Sequence, residues 1–297
     1  MSTTAVSPKV WVQAARPKTL GAAVAPVLVG TAMAWEAGGL HAPSALLALL
    51  GALLIQVGVN YHNDYQDFLK GTDTDDRVGP TRVTQAGMVD PETMRRATIA
   101  VFALAVLSGL YLIYRGGWPI LGVGVASIGA ALWYTGGRYS LAYIGLADLF
   151  VFVFFGPVAV AGTYYVQALS VSPEVIVAGS GPGLLSVAIL LVNNIRDVDD
   201  DRTAQKKTLV VRLGRSVGVA LYAACAKGAL LLPVVLWLWT GRHPWTMLTA
   251  LLAPLAVSAT RTLATTTDPA EINPLLGVTG RMLLLWAALF SVGWTLS

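Results

Sequence analysis

The sequence is poor in charge, histidine and cysteine. Charged residues make up 12% of its 297 positions, and it contains three histidines and one cysteine. The single cysteine, Cys225, can form no intrachain disulfide and offers no cysteine metal cluster. So little charge, with 55% hydrophobic residues and a mean hydropathy of +0.65, lies far from the composition of a soluble globular domain. The composition therefore indicates a membrane protein.

No large soluble domain fits between the apolar stretches, and we expect the first of them to be a retained helix and not a signal peptide. The short polar N-terminus leads into an apolar run that opens at Pro17, without a small-residue cleavage site and a soluble sequence after it. A hydrocarbon core of roughly 30 Å needs about 20 apolar residues per helix. We therefore predict an all-α, polytopic membrane protein with about nine transmembrane helices. The predicted spans lie near 17–36, 42–62, 93–114, 118–136, 144–166, 174–194, 215–240, 244–263 and 276–296.

Basic residues are distributed unequally between the two sides of this predicted bundle. If the N-terminus is cytoplasmic, almost every Lys and Arg faces the cytoplasm, and the opposite side keeps only Arg115 and Arg242. We therefore expect a plasma-membrane protein with a cytoplasmic N-terminus and two long cytoplasmic loops, near 63–92 and 194–214. Basic residues spread over many loops form no single patch on a soluble face, so nucleic acid is not an expected partner.

Two acidic segments follow asparagines at the ends of apolar helices, four spans apart. The first contains Asn63, Asp64 and Asp67, and the second contains Asn193 and Asp197. Alignment of the segments matches Asn63 with Asn193 and Asp67 with Asp197. This weak internal repeat is typical of a pseudo-symmetric bundle with its site between the repeats.

The spacing of the acids predicts a metal site. Asp64 and Asp67 are three residues apart, and Asp197 and Asp201 are four apart, so each pair shares one face of a helix. Oxygen-only ligands favour Mg²⁺, which is usually bound by a few carboxylates together with substrate phosphate. Nearby cations suit the remaining phosphate oxygens. They are Lys70, Arg77, Arg82, Arg196, Arg202, Lys206 and Lys207. The pattern predicts a Mg²⁺-diphosphate site, and the membrane location indicates a lipid substrate.

The alternative is that both loops are merely solvated. Their acids, however, continue directly from apolar helices, and polar groups at such a boundary tend to be functional. Asp148 also begins an apolar run, where an unpaired carboxylate is costly. His62 could act as a base, although a lone histidine is more often structural. A tyrosine at the interface, such as Tyr139 or Tyr143, by default belongs to an aromatic belt.

With these residues in place, the sequence resembles the UbiA superfamily of intramembrane prenyltransferases. Within it, the resemblance is strongest to the 1,4-dihydroxy-2-naphthoate prenyltransferases of menaquinone synthesis, and it covers nearly the whole chain. The superfamily has a fourth acid where this chain has Gly71, and Asp73 follows two residues later, as in that branch. The motifs are Ala15-Arg-Pro-Lys-Thr-Leu20, Asn60-x-x-Asn63-Asp64-Tyr-x-Asp67-x-x-Lys70-Gly71-x-Asp73, Arg77-x-Gly-Pro-x-Arg82, Tyr134-Thr-Gly-Gly-Arg138, Asn193-Asn-x-Arg-Asp197-x-x-x-Asp201, Lys207-Thr-Leu and Arg212-Leu-Gly214.

The resemblance implies one transmembrane domain over residues 1–297, with nine helices around a central cavity. It implies Mg²⁺-dependent transfer of a polyprenyl group from polyprenyl diphosphate to 1,4-dihydroxy-2-naphthoate, with loss of CO₂, giving demethylmenaquinone in the lipid bilayer. The expected metal ligands are Asn63, Asp64, Asp67, Asp73, Asn193, Asp197 and Asp201, of which Asp64, Asp67, Asp197 and Asp201 are the expected catalytic acids. The expected diphosphate ligands are Lys70, Arg77, Arg82, Tyr134, Arg138 and Lys207. The candidate acceptor ligands are Arg16, Lys18 and His62.

Three other functions stay open at this point. A transporter of an anionic metabolite would also place charges near broken helices, but would not change its substrate. A phosphatidyltransferase would use aspartates with Mg²⁺, but its Asp-Gly-Ala-Arg pattern is absent from this sequence. Another UbiA-type enzyme would act on hydroxybenzoate, homogentisate or haem as acceptor.

Overall fold

The structure is a computed structural model that describes residues 6–71, 82–137 and 140–296. Within these ranges the secondary structure is helical and contains no strand. The α-helices are α1 (Pro8–Ala15), α2 (Gly21–Glu36), α3 (Ala42–Lys70), α4 (Pro91–Gly116), α5 (Trp118–Thr135), α6 (Leu141–Ile144), α7 (Ala147–Phe155), α8 (Pro157–Ala168), α9 (Pro173–Arg196), α10 (Val198–Thr203), α11 (Leu209–Leu213), α12 (Arg215–Thr240), α13 (Ala253–Thr265), α14 (Pro269–Ile272) and α15 (Pro274–Thr295). Two 3₁₀ segments cover Pro17–Thr19 and Pro244–Leu252.

The number of membrane spans agrees with the prediction. In the described ranges, eight helical segments are long and apolar enough to cross a membrane, and a bent pair would make a ninth. The pair consists of Pro8–Thr19 and Gly21–Glu36, which meet at 55°. The break between them is at Leu20, and within the first segment Arg16, with a left-handed φ of +50°, separates α1 from the 3₁₀ turn that begins at Pro17. The all-α prediction is confirmed, although no helix was predicted before residue 17, where the structure has α1.

Helix α3 is longer than the membrane is thick, and this positions the first acidic segment. Its 29 residues extend about 44 Å at about 1.5 Å per residue, against a hydrocarbon core of roughly 30 Å. His41 caps its start by accepting the backbone N–H of Ser44, and Gly71, with a left-handed φ of +59°, ends it. The last turns of α3, which carry Asn63 to Lys70, therefore lie at the membrane boundary.

Helix α9 is the most enclosed span and positions the second acidic segment. In its most apolar window 72% of residues are buried, against 17% for α3. The ring of Trp286 on α15 packs directly against Gly181, where a Cβ would overlap it, and the Trp286 indole donates to the Ala229 carbonyl at 2.9 Å. The helix ends at Asp197, and α10 continues almost at once to Asp201. Helices α3 and α9 terminate at the same end of the bundle. We call this end of the bundle 'the motif end'.

Candidate active site

The two acidic segments come together at Lys206. Its Nζ atom lies 3.1 Å from Asp201 Oδ1. Burial lowers the pKa of Lys206, but the negative charges of Asp201 and Asp67 outweigh burial, so its pKa lies above the ordinary value for lysine. One ammonium group therefore lies within electrostatic reach of a carboxylate from each half of the chain. The sequence repeat predicted this meeting of α3 with the segment after α9.

Asp67 is held by an arginine from the loop that follows the first acidic segment. The Arg82 guanidinium forms an ion pair with Asp67, and the two side chains are only 10% and 5% exposed. An ion pair this deeply buried requires both partners, because an uncompensated charge there would be strongly destabilising. Arg82 is thus placed at the acids of α3, as its predicted role as a diphosphate ligand requires.

Asp64 holds the backbone of the same loop. Its Oδ2 accepts the N–H of Val83 at 3.1 Å, and its Oδ1 accepts the N–H of Thr84 at 3.0 Å. The residue is 1% exposed. Both carboxylate oxygens are therefore used to dock the loop that carries Arg82 against α3. This arrangement fits a positioning role better than the predicted metal-ligand role.

Asp197 forms a two-point ion pair with its neighbour Arg196. The distances are 2.6 Å from Nε to Oδ1 and 2.8 Å from Nη2 to Oδ2, and Nη1 of Arg196 donates to the Asn273 side chain at 2.7 Å. The Arg196 side chain is fully buried. The carboxylate at the end of α9 is thereby fixed in orientation and joined to the segment before α15.

An aromatic ring links the cations of the two halves. Lys70 Nζ lies 4.4 Å from the centre of the Tyr143 ring, and Lys206 Nζ lies 6.0 Å from it. Lys70 also donates to the Thr135 carbonyl at 2.6 Å, and the Thr135 hydroxyl donates to Asn63 at 2.7 Å. The ends of α3 and α5 and the α6 segment are therefore tied into one polar cluster.

An apolar cavity of about 480 Å³ opens beneath this cluster. Along α3 its lining runs from Ala48 to Asn63, which is about 22 Å of helix. Polar residues of the lining are concentrated near the motif end, including Asn63, Tyr134 and Asn193. Its walls farther into the membrane are apolar and include Leu112, Ile120, Ile128, Phe154 and Ile189. The cavity suits a molecule with a charged head and a long hydrocarbon tail.

A second cavity, of about 520 Å³, lies at the opposite end of the bundle. Its lining includes Glu36, Glu174, Arg242 and His243, and Arg242 forms a 2.6 Å ion pair with Glu36. This cavity is far along the helices from both acidic segments. We therefore place the chemistry at the motif end.

Residues 23–294 match the UbiA prenyltransferase family. The chain belongs to this family. It is 41% identical over 296 residues to the 1,4-dihydroxy-2-naphthoate octaprenyltransferase of Escherichia coli (strain K12), covering 97% of this chain and 95% of that protein. It is 42% identical over 281 residues to the enzyme of the same name from Mycobacterium tuberculosis (strain ATCC 25618 / H37Rv), covering 93% and 94%.

The fold is also that of a UbiA protein. The structure of a UbiA homolog from Archaeoglobus fulgidus bound to DMAPP and Mg²⁺ matches with a TM-score of 0.62, at 16% identity, over 95% of this chain and 99% of that one. The prediction of a UbiA-like helical bundle is therefore confirmed, and the chain is a multi-pass membrane protein of the prenyltransferase family.

The donor atoms at the motif end of this UbiA protein fit Mg²⁺ accompanied by a diphosphate. The carboxylates of Asp67, Asp197 and Asp201 offer oxygen only, as Mg²⁺ prefers. No group of three or more His, Cys, Asp or Glu side chains suited to a metal occurs in the described ranges, so these residues form no closed protein cage. Mg²⁺ usually completes its coordination with water and substrate phosphate, which such an open arrangement permits.

Some predicted ligands lie away from the cavity. Lys18 is exposed and is absent from its lining. His62 is absent from it too, and its Nε2 is hydrogen-bonded to the Leu132 carbonyl at 3.2 Å. Lys207 is exposed, and Lys206 is the lysine that reaches Asp201. Arg16, the third candidate for the acceptor, does line the cavity. Asp73, Arg77 and Arg138 lie outside the described residues.

Two members of the polar cluster, Tyr143 and Lys206, were not predicted from the sequence as part of the site. Tyr143 was assigned by default to an aromatic belt, although its ring lies between two lysines of the cluster. Lys206 was recognised as a nearby cation but was not chosen as a diphosphate ligand. The choice between Lys206 and Lys207 depends on the backbone at Gln205, whose left-handed φ of +57° turns the chain just before Lys206. No residue-type preference identifies glutamine as a left-handed position.

Proposed function

We propose that this UbiA-family protein is a 1,4-dihydroxy-2-naphthoate polyprenyltransferase. It transfers a polyprenyl group from polyprenyl diphosphate to the naphthoate ring with loss of CO₂, and the products are demethylmenaquinone and diphosphate. The observation that carries the proposal is the cluster of carboxylates and cations at the mouth of an apolar cavity of about 480 Å³. The names and close similarity of the bacterial relatives support the choice of acceptor.

In this proposal the acids hold Mg²⁺, and the cations around them bind the donor. Asp67, Asp197 and Asp201 supply the carboxylates, while Asn63 and Asn193 supply neutral oxygens at the cavity mouth. Asp73 remains a predicted ligand, and Asp64 is left out because it docks the loop. When bound, Mg²⁺ neutralises charge on the leaving diphosphate. The solved structure of a UbiA homolog with DMAPP and Mg²⁺ supports the choice of metal.

The chain's own cations complete the diphosphate site. Lys70 donates to the Thr135 carbonyl, and Arg82 and Lys206 pair with Asp67 and Asp201. In the proposed site these three cations would bind phosphate oxygens of the donor and would stabilise negative charge as its carbon–oxygen bond breaks. The predicted contributions of Arg77, Tyr134 and Arg138 belong to the same proposal.

The cavity protects the electron-poor prenyl group that results. Its apolar walls exclude water, which would otherwise capture the allylic carbon. Arg16, in the lining beside Asn60 and Thr19, is the proposed partner of the acceptor carboxylate. The entire chain, residues 1–297, then acts as one transmembrane catalytic domain. The motif end and the N-terminus face the cytoplasm in our proposal, since most Lys and Arg residues lie on that side.

The test is to incubate membranes containing the protein with labelled polyprenyl diphosphate and each of four acceptors in turn. These are 1,4-dihydroxy-2-naphthoate, hydroxybenzoate, homogentisate and haem. Mass spectrometry of the lipid product should show decarboxylated prenyl naphthoquinol only with the first, and only with Mg²⁺ present. Asp67→Asn should abolish the product, and the amount of inserted protein is measured alongside because the change also removes the carboxylate that pairs with Arg82. A prenylated product with a different acceptor, or full turnover in EDTA, would contradict the proposal.

A further inference from the structure

Asp148 is a buried carboxylate that the proposed metal and diphosphate site does not use. It lies in the first turn of α7 and is 7% exposed. Both carboxylate oxygens are buried, and neither has a hydrogen-bond partner in the described part of the chain. Burying an unpaired polar group is destabilising, and more so if the group is ionised. The fold therefore keeps a carboxyl group here at a cost to stability.

The face of α7 that carries Asp148 is a wall of the substrate cavity. Val151 and Phe155, three and seven residues later, share this face and line the cavity. Asp148 thus lies one turn beyond the lining, towards the motif end, where α7 begins. Two titratable groups on neighbouring helices lie within electrostatic range of Asp148: Tyr134 of α5, which itself lines the cavity, and Cys225 of α12.

No other side chain singled out as a base is available at the cavity. The Nε2 atom of His62 is hydrogen-bonded to the Leu132 carbonyl at 3.2 Å, whereas neither oxygen of Asp148 has a partner among the described residues. The carboxylates of Asp67, Asp197 and Asp201 each form an ion pair with Arg or Lys. The two carboxylate oxygens of Asp148 can still accept hydrogen bonds, and they lie beside an apolar pocket. This is expected of a group that accepts a hydrogen bond from a hydroxyl of a bound ligand.

We propose that Asp148 is a proton shuttle for the ring hydroxyl of the acceptor. This inference rests on the proposed function, because it requires a hydroxylated aromatic acid at the mouth of the cavity. A phenolic hydroxyl that loses its proton makes the ring carbon beside it more nucleophilic. A positioned general base typically contributes about 10²–10⁴-fold to such a step.

The steps balance without any further reactant. A hydroxyl O–H bond of the acceptor breaks, and its proton goes to an Asp148 oxygen. The ring carbon that bears the carboxylate forms a bond with the first carbon of the prenyl group, whose bond to diphosphate breaks with the electron pair leaving on oxygen. The carbon–carboxylate bond then breaks to release CO₂, and its electron pair restores the aromatic ring as a naphtholate. That oxygen takes the proton back from Asp148.

The experiment compares Asp148→Asn and Asp148→Glu with the wild-type protein. The control is Asp199→Asn, the same chemical change at a side chain that is 86% exposed. Each purified, detergent-solubilised variant is assayed for binding of a non-hydrolysable prenyl diphosphate analogue, for kcat with 1,4-dihydroxy-2-naphthoate, and for the pH dependence of kcat.

Asp148→Asn should bind the donor analogue within about twofold of wild type but lose about 10²-fold or more in kcat. Its remaining rate should rise with pH, because the acceptor hydroxyl must then ionise by itself, whereas the wild-type rate should level off. Asp148→Glu should recover part of kcat. An acceptor with that hydroxyl methylated should react equally slowly with wild type and Asp148→Asn.

Several outcomes would overturn the inference. One is an Asp148→Asn variant with wild-type kcat and pH profile, and another is an equal loss of donor binding and kcat. If Asp148→Asn does not fold, an Asp148→Glu variant that folds but turns over the hydroxylated and the methylated acceptor at the same rate would also refute it. A wild-type protein that prenylates no naphthoate refutes the proposed function instead, so the two failures are distinguishable.

Discussion

The ammonium group of Lys206 lies 3.1 Å from the carboxylate of Asp201, while the next residue, Lys207, is exposed. The two lysines are adjacent in the sequence, and the pKa of Lys206, which burial lowers, is raised above its ordinary value by the charges of Asp201 and Asp67. The sequence predicted Lys207 as the diphosphate ligand, whereas in the structure Lys206 is the lysine that reaches Asp201.

We expect Lys206→Met to weaken donor binding by about tenfold or more, because a charge-assisted contact to phosphate contributes about 1.5–3 kcal/mol. Lys207→Met should have the smaller effect, since its side chain lies at the surface. Binding of a prenyl diphosphate analogue, measured by isothermal titration in detergent, compares the two directly. The reverse order of effects would show that the predicted ligand Lys207 was correct.

Asp64 and Asp67 should respond differently to the same substitution. Asp64→Asn removes an acceptor from one of two backbone N–H groups, so we expect a loss of about 1–3 kcal/mol of stability and a lower unfolding temperature. Asp67→Asn should abolish prenyl transfer by removing a proposed metal ligand. Thermal unfolding and transfer rates are measured on both variants. If Asp64→Asn keeps its unfolding temperature and loses Mg²⁺ dependence, Asp64 is a metal ligand after all.

The ring of Tyr143 should matter more than its hydroxyl for donor binding. Tyr143→Leu removes the ring near Lys70 and Lys206, and cation–π contacts contribute about 0.5–2 kcal/mol, so donor affinity should fall by roughly 2–30-fold. Tyr143→Phe should retain more of the affinity. Equal losses in the two variants would point to the hydroxyl. The measurement is again binding of the donor analogue, with Asp199→Asn as the surface control.

Gly181 on α9 and Gly129 on α5 provide a matched test of helix packing. A Cβ at Gly181 would overlap the Trp286 ring, so Gly181→Ala should cost about 1–3 kcal/mol through overpacking. Gly129 on α5 has no atom within 4 Å of the equivalent position, and Gly129→Ala should be neutral or stabilising by up to about 1 kcal/mol. Thermal unfolding of the two variants measures this difference in stability. Equal melting temperatures would show that Trp286 can move aside freely.

The membrane spans could be predicted because each depends on one local property, its run of apolar residues. The same runs locate the ends of α3 and α9, so the meeting of Asp67 with the second acidic segment could be predicted as well. The left-handed end of α1 at Arg16 could not, because arginine is rarely left-handed, although Pro17 indicated a boundary.

The details of the site depend on contacts between distant segments. Nothing in the spacing of Asp64 and Asp67 separates a carboxylate that docks a loop from one that faces a cation. The difference appears only when Val83 and Thr84 present their N–H groups to Asp64. Likewise, the role of Tyr143 follows from the approach of Lys70 on α3 to the segment after α5.

The ion pairs of Asp67, Asp197 and Asp201 have a consequence for how the protein is made. Since each of these acids is already compensated by Arg82, Arg196 or Lys206, the acidic cluster does not repel itself before metal arrives. In the proposed function, the newly inserted chain would therefore reach its final fold without Mg²⁺, unlike small metalloproteins that are unfolded until they bind metal. The supply of Mg²⁺ would then control the turnover of the enzyme and not the abundance of folded protein.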